Sequence, residues 1–232
     1  ATCLTSKGDA EEAVEYYRAA FEIQPSWLWS GNLNHEYGMA LAQLGRYQDA
    51  GDVFRLRLDQ PDSNGRGYAK RSLGQLALYQ GHFDEAAAHF SDAVALHLAA
   101  GDPFSAGRDR LFAALGETAR GRTREALAAL DQAALEVPVQ SGWIWLRSLV
   151  GSAYLSAGDI ESARRISEEL NRWAESAEEP GEDPLQRRIL LEADILVSDG
   201  EPDRALDILE SLRTVDNRDN AFLVAALAQA YR

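Results

Sequence analysis

Apolar residues step along this chain at intervals of three and four. Ala13, Tyr17 and Ala20 form one such stripe, and Phe83, Ala86, Phe90 and Ala93 form another. That spacing makes one buried face on an α-helix. No stretch alternates cleanly with period two, β-branched residues are sparse, and alanine and leucine abound. The pattern therefore predicts an all-α protein.

Glycines punctuate the helical runs at a regular distance. A glycine followed five residues later by an alanine recurs at Gly8/Ala13, Gly45/Ala50, Gly81/Ala86, Gly121/Ala126, Gly158/Ala163 and Gly200/Ala205. The glycines are 37, 36, 40, 37 and 42 residues apart, and a fixed period of roughly 20–50 residues is the mark of a repeat architecture. In the clearest copy, the run Tyr37–Leu44 precedes Gly45 and the run Gln48–Phe54 follows it. A glycine just past a helix closes it in the left-handed conformation without a Cβ penalty. An alanine on the next run lets two antiparallel helices approach closely. Each unit is thus a helical hairpin, and it buries its apolar face by stacking on the next copy.

Breakers set the expected boundaries. Pro25 stops one helix, and Pro61-Asp62-Ser63-Asn64-Gly65 is turn chemistry. Asp9, Asp102-Pro103 and Asp183-Pro184 read as helix starts, the last two as a cap followed by proline. The acidic Glu178–Asp183 stretch reads as an exposed loop. The expectation is one domain over residues 1–232, with repeats near 1–25, 26–62, 66–99, 102–138, 141–175 and 183–214 and a final helix at 217–232. The sequence opens inside a unit, so a fragment of a longer chain is expected. Its cut ends would leave apolar faces uncovered and favour self-association.

These units resemble the tetratricopeptide repeat, with its W-x₂-L-G-x₂-Y…A-x₃-F…P pattern. The second unit supplies Tyr37-Gly38, Leu41, Ala50, Phe54 and Pro61, and the third Leu73-Gly74, Ala86, Phe90 and Ala93. The fifth has Val150-Gly151, Tyr154 and Ala163, with Ser167 where the aromatic should stand. In the fourth and sixth, Ala114 and Ala193 replace the glycine, and Leu130 and Leu209 replace the aromatic. The resemblance implies an α-solenoid of about six stacked helix-turn-helix repeats with a C-terminal capping or truncated helix. It also implies a protein-interaction scaffold that binds a peptide or partner protein in a concave groove lined by the first helices, without catalysis. A regulatory or sensor region of a larger signalling, transcription-regulator or transferase protein is the alternative. By the family's register, His35, Met39, Tyr68, Arg71, Gln75, Tyr79, Arg108 and Phe112 would point into the groove. The lysine/asparagine clamp of the family's chaperone-binding members is not matched.

Charge and composition narrow the partner. With 23 basic and 37 acidic residues the formal charge is −14, which argues against a general nucleic-acid surface. No apolar run approaches the roughly 20 residues needed to span a bilayer, so no membrane insertion is expected. The single cysteine, Cys3, excludes an internal disulfide framework and fits a reducing, cytoplasmic compartment. Within this acidic chain the expected first helices are mildly basic. The third unit's carries Arg66, Lys70 and Arg71 without an acidic residue. That suggests an acidic peptide gripped by Arg71 and Arg108, with the aromatics giving apolar contact; pairing of these arginines with neighbouring carboxylates is the other reading.

Candidate chemistry is thin. His35-Glu36 begins like a zinc-protease helix, but Met39 stands where the second histidine belongs. His89 and His97 share a helix side without a third ligand, as expected of surface histidines. Asn64-Gly65-Arg66-Gly67, with Lys70 and Arg71 beyond, lacks the third glycine of a dinucleotide fingerprint and the end of a P-loop. No nucleophile has a base near it in sequence, so no catalytic residue, metal or cofactor is expected. Trp27/Trp29 and Trp143/Trp145 lie two apart, which sends one of each pair inward and one outward; they serve packing or a ligand platform.

Overall fold

The structure is a computed structural model, and it describes residues 9–140, 143–176 and 182–212. Among these residues every regular element is helical, and they fall into two compact units, 1–120 and 121–232. The first unit holds α1 (Ala10–Ile23), α2 (Gly31–Gln43), α3 (Tyr47–Arg55), α4 (Ser63–Tyr79), α5 (Phe83–Ala99) and α6 (Pro103–Ala119). Two 3₁₀ turns, Pro25–Trp29 and Leu56–Asp59, join α1 to α2 and follow α3. The second unit holds α7 (Thr123–Glu136), α8 (Ile144–Ser156), α9 (Ile160–Ser176), α10 (Glu182–Ser198) and α11 (Pro202–Glu210).

The periodic glycines close helices. At Gly45 (φ 73°) the Arg46 N–H donates to Leu41 O and the Gly45 N–H to Ala42 O, both at 2.9 Å. This satisfies carbonyls that the end of α2 would otherwise leave open. The same pair of bonds recurs at Gly81, Gly158 and Gly200. Gly101, outside the glycine–alanine register, does the same between α5 and α6 (φ 72°). Gly8 lies outside the described residues.

The family's glycine and aromatic positions interlock. Phe54 on α3 is fully buried against Gly38 on α2, where a Cβ would come within 2.1 Å of its ring. Phe90 on α5 meets Gly74 on α4 in the same way, at 2.8 Å. In the second unit the pair is Ala193 on α10 with Leu209 on α11, both buried in one cluster: a larger residue on one helix is matched by a smaller one on the other. Where Ser167 takes the aromatic's place, Leu191 and Ile166 fill the space against Gly151.

Several local expectations change. Pro25 starts a 3₁₀ turn, so the next helix begins at Gly31, and Trp27 and Trp29 are both about half exposed. Neither tryptophan of that pair is buried, and Trp143 and Trp145 are both partly buried. Asp9 makes no side-chain cap, whereas Asp102 accepts from the Ser105 N–H at 2.9 Å ahead of Pro103. Asn64–Gly67 are not a loop: Asp62 caps α4 through the Gly65 N–H at 2.5 Å, so they form its first turns. Asp183 already lies inside α10. Residues 178–181 of the expected acidic loop, the cut ends and the final helix lie outside the described residues.

Candidate functional site

The first unit brings one cluster of the groove candidates together around Tyr68. Its ring, on α4, lies edge-on to His97 of α5 at 5.1 Å, and its hydroxyl is 3.5 Å from Ser105 Oγ on α6. Three guanidinium carbons surround the ring centre: Arg71 at 4.9 Å, Arg57 at 5.4 Å and Arg108 at 5.9 Å. Cations over an aromatic face are attracted by its quadrupole, but three of them in one place also repel.

Each arginine handles that repulsion differently. Arg71 is 3% exposed, and its guanidinium donates to Asp109 and, at 2.8 Å, to Ser105 O. Asp109 is fully buried and also receives the His97 Nδ1–H at 2.6 Å, so α4, α5 and α6 meet at one carboxylate. His97 is therefore a core residue rather than a surface one, and Gly67 leaves room for its ring. The guanidinium expected to grip a ligand from the groove is thus buried against an internal carboxylate. A signal for this exists in the sequence: Arg71 and Asp109 stand 38 positions apart, about one repeat.

Arg57 and Arg108 have no such partner. Arg108 is half-buried and makes no hydrogen bond or ion pair with a described residue; its Nε is buried and unpaired. Arg57 is 6% exposed and has only a 3.5 Å bond to Gln60, with its Nε also unpaired. Burial pulls the Arg57 pKa down, while Asp62 and Tyr68 push it back up. The 3₁₀ turn after α3 carries Arg57 into the cluster, and bare Gly31 leaves space beside its guanidinium. Reasoning from first helices misses Arg57 because it follows a second helix.

The other candidates are scattered around this cluster. His35 Nδ1 is 3.0 Å from Ser72 Oγ, its ring stacks on Phe54 at 6.0 Å, and burial followed by the Arg71 charge pushes its pKa down to about 4. Met39 packs on the core of the first unit. Phe112 stacks on Phe90 at 6.0 Å. Gln75 is half-buried with an unpaired Oε1. Tyr79 is exposed, with its ring 6.2 Å from Tyr47. Among the other basic residues, Lys70 pairs with Asp92, Arg120 with Asp84 and Glu117, and Arg147 with Glu169. His89 lies 3.7 Å from Glu85, and no His/Cys/Asp/Glu group among the described residues is arranged to hold a metal.

Two tetratricopeptide-repeat family profiles match, at residues 1–26 and 71–106. The chain carries tetratricopeptide repeats. Solved structures agree on the fold of this TPR protein. BtubC from P. vanneervenii matches with a TM-score of 0.62 and 16% identity, over 88% of this chain and 89% of that one. A thermophilic TPR protein of Thermus thermophilus matches at 0.59 and 17%, over 88% and 100%. The Cut9–Hcn1 hetero-tetramer of the APC/C matches at 0.58 and 15%, over 98% of this chain and 41% of that one. No curated protein matches. Both units are built on the helical-hairpin plan of TPR solenoids, a protein-interaction scaffold fold. No described helix of the TPR protein is long and apolar enough to cross a membrane.

Proposed function

We propose that this protein is a non-catalytic scaffold that binds an acidic segment of a partner protein at the Tyr68 cluster of its first unit. The observation that carries the reading is the pair Arg57 and Arg108. They are two cations without a carboxylate partner beside an aromatic ring, in a chain of net charge −14. Ion pairing is the usual state of the other basic residues, so two guanidinia without a carboxylate are suited to an incoming one. Arg108 is the ligand-facing arginine in this reading, Tyr68 supplies the apolar surface, and Arg71 is a positioning residue held by Asp109. The Cut9–Hcn1 assembly is one in which a neighbour of this fold engages another protein.

The test is affinity capture with the full chain, comparing wild type with Arg108→Glu. Arg71 is left alone, because a glutamate there would face Asp109 in the interior. Proteins held by the wild type should fall at least tenfold in the variant, with helical circular dichroism unchanged. Equal retention by the two would move the binding surface away from Tyr68.

A further inference from the structure

We infer that the cluster around Tyr68 is a phosphate site, one that takes a phosphate monoester in preference to a carboxylate. Three unpaired, buried donors mark it: Arg57 Nε, Arg71 Nη1 and Arg108 Nε. They belong to the three guanidinia that surround one ring, at 5.4, 4.9 and 5.9 Å from its centre. Two of those side chains, Arg57 and Arg71, are more than nine-tenths buried. Buried donors in folded proteins are almost always paired, and Arg108, only partly buried, brings the cluster to the surface.

The charges present narrow the ligand. Arg71 is neutralised by Asp109, which also accepts a hydrogen bond from His97 Nδ1–H. Asp62 acts on Arg57 electrostatically, but its carboxylate caps α4 through the Gly65 N–H. Arg57 and Arg108 are left without an ion pair, and three guanidinium donors are left without an acceptor. A side-chain carboxylate brings one charge and two oxygens. A phosphate monoester brings about −1.5 to −2 near pH 7 and three terminal oxygens, each able to accept from a guanidinium. The dianion matches the two unpaired charges; a single carboxylate does not. The Asp109–His97 pair holds Arg71 in place.

This deepens the scaffold reading by making the acidic segment a phosphorylated one, and it rests on that reading only for the source of the phosphate. The test follows the arginine Nε–H resonances of the full chain by ¹H–¹⁵N NMR at constant ionic strength. Three probes are titrated: inorganic phosphate, N-acetyl-phosphoserine amide and acetate. The expected result is a saturable shift of the Arg57 and Arg108 signals with both phosphate probes, and at least tenfold weaker binding of acetate. Arg108→Gln should weaken phosphate binding at least tenfold. It is half-exposed in the wild type, so it keeps the readout should the buried variant Arg57→Gln fail to fold. Tighter binding of the phosphoserine probe than of inorganic phosphate assigns the site to a modified partner protein, and equal binding assigns it to a free phosphate compound. No saturable shift with either phosphate probe, acetate binding as tightly, or unaltered affinity in Arg108→Gln each overturns the site. Loss of captured partner in Arg108→Glu without any phosphate shift would leave protein binding standing and this inference refuted.

Discussion

Gly38 makes the packing logic of the chain measurable at a single atom. A methyl group there would lie 2.1 Å from Cε1 of the fully buried Phe54 ring, whereas at Gly74 the closest approach to Phe90 is 2.8 Å. At Gly51 an added Cβ meets only the flexible end of Arg55, at 3.2 Å. Alanine has the better helix propensity at all three places. Overpacking should nevertheless dominate at the first two, with Gly38→Ala costing about 2–3 kcal/mol and Gly74→Ala less. Gly51→Ala should be neutral or stabilising, and urea denaturation of the three variants checks the order. His35 supplies a second residue-scale prediction. Its folded pKa of about 4 lies below the unfolded value of 6.5, so stability present above pH 6.5 is lost as pH falls from there through 4. The groups that face it are Ser72 and the Arg71 charge. An NMR titration should find its imidazole still neutral at about pH 5, where an unperturbed histidine is almost fully charged; a midpoint near 6.5 would contradict the burial argument. The sequence could not reveal such surroundings, because burial of His35 depends on α4, thirty-seven residues on at Ser72.

At the scale of the element, what was legible was local. The glycines that close α2, α4, α8 and α10 could be read because a left-handed residue followed by a capped run is written within a few positions. Gly101 could not be read the same way: it ends a second helix, outside the glycine–alanine register, yet it carries the same two bonds. Substituting alanine at Gly45 or at Gly101 should therefore cost about the same, on the order of 1 kcal/mol, since each pays for a left-handed residue with a Cβ. Nothing lies within 4 Å of a Cβ at either place, so a much larger loss in thermal denaturation would point to a contact rather than to backbone conformation. The site followed the opposite rule. Tyr68 and Arg108 could be named from helix register, but Arg57 arrives through a 3₁₀ turn, and the fate of Arg71 is decided by a carboxylate one repeat away.

For the whole molecule, the net charge of −14 sets a condition on every measurement. Self-repulsion among like charges destabilises a compact acidic chain, and salt screens it over about 10 Å at 0.1 M. Raising sodium chloride from about 20 to about 200 mM should therefore raise the melting temperature. The Arg71–Asp109–His97 centre is buried and is screened far less, so Asp109→Asn should remain destabilising at both salt concentrations. A melting temperature that falls with salt would mean that the exposed ion pairs, such as Arg46–Asp49 and Arg55–Asp52, contribute more than the excess negative charge.

Polar links between neighbouring helices reach one repeat along the chain: His35 to Ser72, Tyr68 to Ser105, Arg71 to Asp109, Arg120 to Asp84 and Arg164 to Asp199 span 35 to 38 positions. Links of that reach ask little of a growing chain. Each hairpin finds its partner groups as soon as about forty further residues have left the ribosome, so ordering can proceed from the N-terminal side while synthesis continues. The three guanidinia around Tyr68 would then be gathered once α6 has emerged, before most of the second unit has been made.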